Sequence, residues 1–149
     1  MLTPWYITGF CDGEAAFTYS RAGGTFALYF SLKQRADSRQ IVDDIQEYFH
    51  YVGTIYEGKE ALPTNNSGFT QPSSYYRVTR IGELKVIVDH FDKYPLQNKK
   101  KLGAYQVWRE MVMHKLKNYG DIDYNQLHAL AERLSSLNLQ SRAFKVHKR

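Results

Sequence analysis

The stretch Trp5 to Phe17, W-Y-I-T-G-F-C-D-G-E-A-A-F, restricts the fold of this chain more than any other. Thr3 is placed to cap a helix, and Pro4 suits its first position, where no backbone N–H is needed. Trp5, Ile7, Phe10 and Cys11 call for burial, and Gly13 fits the left-handed turn that ends a helix. The acids Asp12 and Glu14 close the stretch. The end of a helix carries partial negative charge, so carboxylates there are mildly unfavourable by themselves. A divalent cation offsets this, because hard cations bind carboxylate and carbonyl oxygens and water. Gly9 and Gly13 share one helix face and let another backbone come close. The helix is too short to span a bilayer, so that backbone belongs to a second soluble helix. These residues suit a tight helix seam with metal-binding carboxylates at its foot, doubled if two copies of the chain meet. A core helix followed by a polar turn accounts for the same residues without a metal.

Beyond this helix, Ala16–Arg21 reads as a strand and Ala22-Gly23-Gly24 as a hairpin turn. Thr25 to Gln34 alternates: Phe26, Leu28, Phe30 and Leu32 face one way, Thr25, Ala27, Tyr29, Ser31 and Lys33 the other. Such a strand has one buried face and one solvated or binding face. Asp37 or Ser38 can cap a second helix whose stripe is Ile41, Val42, Ile45, Tyr48 and Phe49, closed by Gly53. Thr54–Glu60 and Tyr75–Ile81 read as further strands, joined by a long polar connection over residues 58–74. Glu83–Phe91 is helical and stops before Pro95. A basic turn, Gln97–Lys101, leads into a fourth helix at Leu102–Asn118 that ends near Gly120, and Asp123 caps a last helix. The tail Arg142–Arg149 is basic. The order predicts an α+β fold, αββαββα plus extra helices, with a four-stranded antiparallel sheet covered on one face. The 149 residues suffice for one domain, residues 1–149.

Composition narrows the partners. Lys and Arg outnumber Asp and Glu by 20 to 15, which permits a polyanionic partner. Twelve tyrosines suit contact surfaces. A single cysteine, Cys11, excludes an intrachain disulfide and a cysteine-based zinc site. With no apolar run of membrane length, the expectation is a soluble intracellular protein, in a bacterial or archaeal cytoplasm or an organelle. No Ser/His/Asp or Cys/His constellation is visible, and the five histidines are scattered.

The nine residues Ile7 to Ala15, I-T-G-F-C-D-G-E-A, resemble the namesake helix of the LAGLIDADG homing endonucleases, with Thr8, Cys11 and Ala15 as small or conservative departures. Tyr94–Tyr105 and Leu134–Asn138 resemble weaker family elements. The resemblance implies a saddle-shaped sheet over double-stranded DNA. With one motif in the chain, it also implies a homodimer joined through the first helix, with Thr8, Gly9, Asp12 and Gly13 at the seam. Glu14, with the Ala15 carbonyl, would hold Mg²⁺ or Mn²⁺. Gln34 would position water, and Lys99 or Lys100 would stabilise charge or activate solvent. Ser38 and Arg39 lie where another polar site residue can occur.

Base reading falls on the open sheet face, because a two-stranded ribbon fits the major groove. Alternation nominates Thr18, Ser20, Thr25, Ala27, Tyr29, Ser31, Lys33, Thr54, Tyr56, Tyr75, Arg77 and Thr79, with Arg77 best suited to guanine. The implied activity is metal-dependent cleavage of both strands at a long, nearly palindromic site, in the setting of intron homing. The rival readings are an RNA-splicing maturase, which would bind intron RNA, and a non-cleaving DNA-binding protein on the same fold.

Overall fold

The computed structural model describes residues 2–22, 25–58 and 72–138. In order it forms α1 (Pro4–Glu14), β1 (Ala15–Ala22), β2 (Thr25–Arg35), α2 (Arg39–Tyr48), β3 (Thr54–Glu57), β4 (Ser73–Val78), α3 (Ile81–Lys93), α4 (Lys99–Lys117) and α5 (Tyr124–Asn138). The fold is α+β, an αββαββα core with two added helices. Its four strands are antiparallel, in the order β1-β2-β4-β3. Gly23, Gly24, most of the 58–74 connection and the basic tail fall outside the described residues.

The first helix starts as its sequence dictates, with the Thr3 hydroxyl accepting from the Tyr6 N–H at 3.2 Å. Its end differs from expectation. Gly13 makes no left-handed turn; the helix continues to Glu14, and Ala15 is already extended at φ −87°, ψ 154°. No loop separates α1 from β1, so the chain has no reversal there for a left-handed residue to make. Among the described residues, left-handed positions lie after α2, at His50, Tyr51 and Gly53, and after α4, at Gly120. At Gly53, φ is +79° and a Cβ would sit 2.6 Å from the Arg77 carbonyl, so this turn admits only glycine. Ser38 stands at the cap position of α2 but makes no capping bond, since a 3-10 turn at Ala36–Ser38 leads the chain in.

The alternation of β2 holds. Phe26, Leu28, Phe30 and Leu32 are buried beneath the helices. Phe17 of β1 is the hub of an aromatic cluster, its ring centroid 5.1–5.5 Å from those of Phe30, Phe91, Tyr105 and Trp108. Edge-on contacts of this kind add to the area the rings bury. The sheet is therefore clamped from one side, and its other face stays clear.

Behind α1 lies a buried polar chain. Thr8 Oγ1 donates to the Tyr94 carbonyl at 2.7 Å and meets His90 Nε2 at 3.0 Å; His90 Nδ1 meets the Tyr48 hydroxyl at 2.9 Å. Because the Thr8 proton is committed to Tyr94, His90 Nε2–H donates to Thr8, and Nδ1 accepts from Tyr48. In this arrangement His90 is neutral, and burial pushes its pKa down to about 4 from an ordinary 6.5. The unfolded chain takes up this proton at higher pH than the folded one. The stability held by neutral His90 is thus complete above about pH 6.5 and is lost as pH falls toward 4, by at most about 3 kcal/mol. Urea unfolding across that range will show a steeper loss for wild type than for His90→Gln; equal slopes would exclude this titration.

Candidate functional site

The site forms where α1 meets β1. Glu14 is the last residue of the helix and is exposed; among the described residues its carboxylate makes no hydrogen bond or ion pair. Ala15 begins β1 beside it, paired with Leu32. Asp12 has a different task. Its carboxylate accepts the backbone N–H of Gln97 at 3.0 Å and of Asn98 at 3.2 Å, which fastens the start of α4 to the end of α1.

Asn98 in turn caps α4, its side-chain oxygen accepting from the Lys100 and Lys101 N–H groups at 2.9 and 3.2 Å. The run Lys99–Lys101 is therefore the first turn of a helix and not a basic turn before one. Successive helical residues point about 100° apart, so one lysine of the run faces α1. It is Lys101, whose Nζ donates to the Ala15 carbonyl, whereas Lys99 and Lys100 are exposed. Burial lowers the Lys101 pKa, with Cys11, Asp12 and Glu14 pulling it back up. Of the three lysines, the structure brings Lys101, and not Lys99 or Lys100, to the junction.

Other nominated residues separate. Thr8 faces inward, 1% exposed and bound to Tyr94 and His90, so it does not share the face of Gly9 and Gly13. Those glycines are exposed, and a Cβ at either would meet nothing within 4 Å. Nothing inside this chain requires glycine at either position. Gln34 lies at the same end of the sheet as Ala15, half-buried, with Nε2 donating to the Lys33 carbonyl at 2.9 Å. Arg39 is engaged by Asp43 at 3.1 Å and Glu57 at 3.0 Å.

The strand registers put Thr18, Ser20, Ala27, Tyr29, Ser31, Lys33, Thr54, Tyr56, Tyr75 and Arg77 on the face away from the helices. Thr25 is in register with them, though its side chain lies outside the description; Thr79 follows β4 and is exposed. Ala16 and Arg35 belong to the same face. Among the described strand residues, every charged side chain on that face, Lys33, Arg35 and Arg77, is positive. Tyr56 stacks on Tyr75 at 5.1 Å, Lys33 lies over Tyr75 at 5.7 Å, and Arg77 lies over Tyr29 at 4.1 Å. An open sheet face bearing cations and flat aromatic rings suits a polyanion with exposed base edges.

The profile of the LAGLIDADG endonuclease family matches residues 7–112, a span running from the α1 motif through most of α4. This chain belongs to the LAGLIDADG endonuclease family.

Relatives of this LAGLIDADG chain include "Probable intron-encoded endonuclease 2" of Neurospora crassa, 27% identical over 78% of this chain and 25% of the relative. The "Uncharacterized 50.9 kDa protein in ND4 intron 1" of Podospora anserina is 29% identical over 79% of this chain and 26% of the relative. The chain thus spans about a quarter of the length of these relatives. Among solved structures, the LAGLIDADG meganuclease I-AabMI bound to uncleaved DNA superposes with TM-score 0.70 at 27% identity, over 97% of this chain and 50% of that one. The archaeal intron-encoded homing endonuclease I-Vdi141I, complexed with DNA, shares the fold with TM-score 0.68 at 23% identity, over 90% of this chain and 82% of that one.

The LAGLIDADG junction suits a hard cation only in part. Among the described residues, no group of three or more His, Cys, Asp or Glu side chains forms a metal cage. Glu14 and the Ala15 carbonyl are hard oxygen donors of the kind Mg²⁺ and Mn²⁺ accept, though the Ala15 carbonyl already accepts from Lys101, and such ions retain several waters. The donor chemistry therefore fits an ion shared with water, phosphate oxygens or a second chain.

Two residues escaped the sequence reading. Arg35 was one step along an alternation already recognised. Lys101 required the phase of α4, which Asn98 sets and which the lysine run alone conceals.

Proposed function

We propose that this chain is the catalytic unit, residues 1–149 acting as one domain, of a site-specific DNA endonuclease that hydrolyses both strands of a long, nearly palindromic duplex. The observation that carries this reading is the position of Glu14: a carboxylate without a partner among the described residues, at the edge where the cationic open sheet begins, with Lys101 beside it. The sheet face holds the duplex by phosphate contacts and base edges, and Thr18, Ser20, Lys33, Tyr75 and Arg77 are its readers. The three lysines opening α4 add positive charge to the positive end of a helix dipole, an arrangement favoured when a phosphate lies nearby.

Glu14 and the Ala15 carbonyl would hold Mg²⁺ or Mn²⁺, which supplies an activated water and charge relief at the leaving oxygen. Lys101 holds a positive charge against the same carbonyl, placed to meet the negative charge that grows on the phosphate. Gln34, at the same sheet end, orients solvent.

Two active centres require two units. The outward glycines Gly9 and Gly13 support docking of α1 against the same helix of a second copy, which would set two Glu14 side chains side by side. Coverage of half of I-AabMI supports the same reading, since that chain has room for two units. The names of the relatives support an intron-encoded origin.

The test is cleavage of a randomised duplex library, and of the intron-less insertion site, with Mg²⁺, Mn²⁺ or EDTA, alongside sedimentation to count chains. Cutting in either metal, abolished by EDTA, supports the proposal. Sequence-specific binding without cutting in either metal overturns it and leaves the maturase or regulator. In the same assay Lys101→Met will lower the cleavage rate by about a hundredfold, whereas Lys99→Met and Lys100→Met stay within about threefold. The reverse ranking would remove Lys101 from the site.

A further inference from the structure

Arg77 is held more tightly than any other cation on the open face. It sits in β4, directly across from Ser31 of β2 and Thr54 of β3, and neither is acidic. Its guanidinium carbon lies 4.1 Å from the centroid of the Tyr29 ring, one diagonal step away on the same face. Its Nε is buried without an acceptor. Among the described residues, no carboxylate forms an ion pair with it. The other open-face cations are looser: Lys33 and Arg35 are exposed, and Arg35 stands near Asp37 at 3.9 Å.

Three consequences follow from this geometry. The ring under the guanidinium fixes the plane of the fork. The covered Nε leaves the two terminal nitrogens as the donors free to meet a ligand. The lack of a carboxylate leaves their positive charge unspent. Two parallel N–H donors held in one plane match the O6 and N7 acceptors of guanine in the major groove. A phosphate also accepts such a fork, but the exposed Lys33 and Arg35 already offer mobile charge for phosphate on this face.

We infer that Arg77 is the guanine reader of each half-site and that Tyr29 is its positioning residue, setting that preference by holding the guanidinium plane without itself touching the base. The inference rests on the DNA-binding reading above. It assigns one base pair per half-site, on the register of Ser31 and Thr54, to a fixed guanine.

The experiment is selection of binding sites from a randomised duplex library, followed by Kd measurements on all single-base changes of the selected duplex. Wild type, Arg77→Gln, Tyr29→Ser and Tyr29→Phe are compared, with circular dichroism checking the fold. Wild type is expected to demand guanine at one position and its symmetry mate. Arg77→Gln should lose that preference by roughly ten- to a hundredfold there, leaving the other positions unchanged. Tyr29→Ser should weaken preference at the same position alone, and Tyr29→Phe, which keeps the ring, should restore it. If Arg77→Gln weakens all sequences equally, Arg77 touches phosphate and the inference falls. It also falls if Tyr29→Ser leaves the guanine preference intact. If wild type selects no sequence at all, the DNA reading itself fails, and this one with it.

Discussion

Glu14→Gln is expected to leave the fold and DNA binding intact and to cut the cleavage rate by about a thousandfold or more. Glu14 is exposed at the end of α1 and makes no described contact, so an isosteric amide disturbs no packing. Exposed substitutions of this kind usually change stability by less than about 0.5 kcal/mol. The chemistry is another matter. A neutral amide oxygen is a poor ligand for a hard divalent ion, and a bound ion contributes several kcal/mol of charge stabilisation to hydrolysis. At about 1.4 kcal/mol per factor of ten, the loss of about 4 kcal/mol corresponds to about a thousandfold. Single-turnover cleavage of the selected duplex, with Kd measured beside it, separates the two effects. A variant that cuts within about tenfold of wild type would show that the ion is held elsewhere. Asp12→Asn would answer a different question. Asp12 is committed to the amides of Gln97 and Asn98, so its loss should appear first as lower stability and a displaced Lys101.

The largest stability effect is expected at Trp108. Its side chain is fully buried against Phe17 and Tyr105, and its indole N–H donates to the Thr18 carbonyl at 3.0 Å. Among the described residues β1 is an edge strand, paired on one side only, and Trp108 satisfies one of its carbonyls. Trp108→Ala leaves a cavity and strands that carbonyl, at a cost of about 3–5 kcal/mol. Domains of ordinary size hold only about 5–15 kcal/mol in total. The melting temperature should fall by roughly 10 °C, and Trp108→Phe, which keeps a ring but no N–H, should lose less than half as much. Urea unfolding followed by circular dichroism measures both. A loss below about 1 kcal/mol for the alanine variant would mean that the aromatic cluster does not anchor β1. Because Thr18 lies on the open face of that strand, the same defect should also blur base preference near it.

Local chemistry determined much of this protein. Thr3 and Pro4 fix the start of α1, and the alternation of Thr25–Lys33 fixes which side of β2 is buried. The sequence of turns and stripes predicts the α+β order, and the residues Ile7–Ala15 carry the family resemblance and single out Glu14. These features are legible because each depends on neighbours a few residues away, through periodicity or a cap. The tertiary structure decided the rest. Glu14 and Lys101 are separated by most of the chain, and no local pattern says which of three adjacent lysines meets Ala15; that choice depends on the phase of α4, fixed when Asp12 grips the amides ahead of it. The family resemblance implies Thr8 at the seam, yet helical geometry turns it inward to His90, some eighty residues away. The pairing of Arg77 with Tyr29 likewise exists only through the register of β2 against β4. Contacts between distant segments are set by packing and register, which are properties of the whole fold and not of any stretch of its sequence.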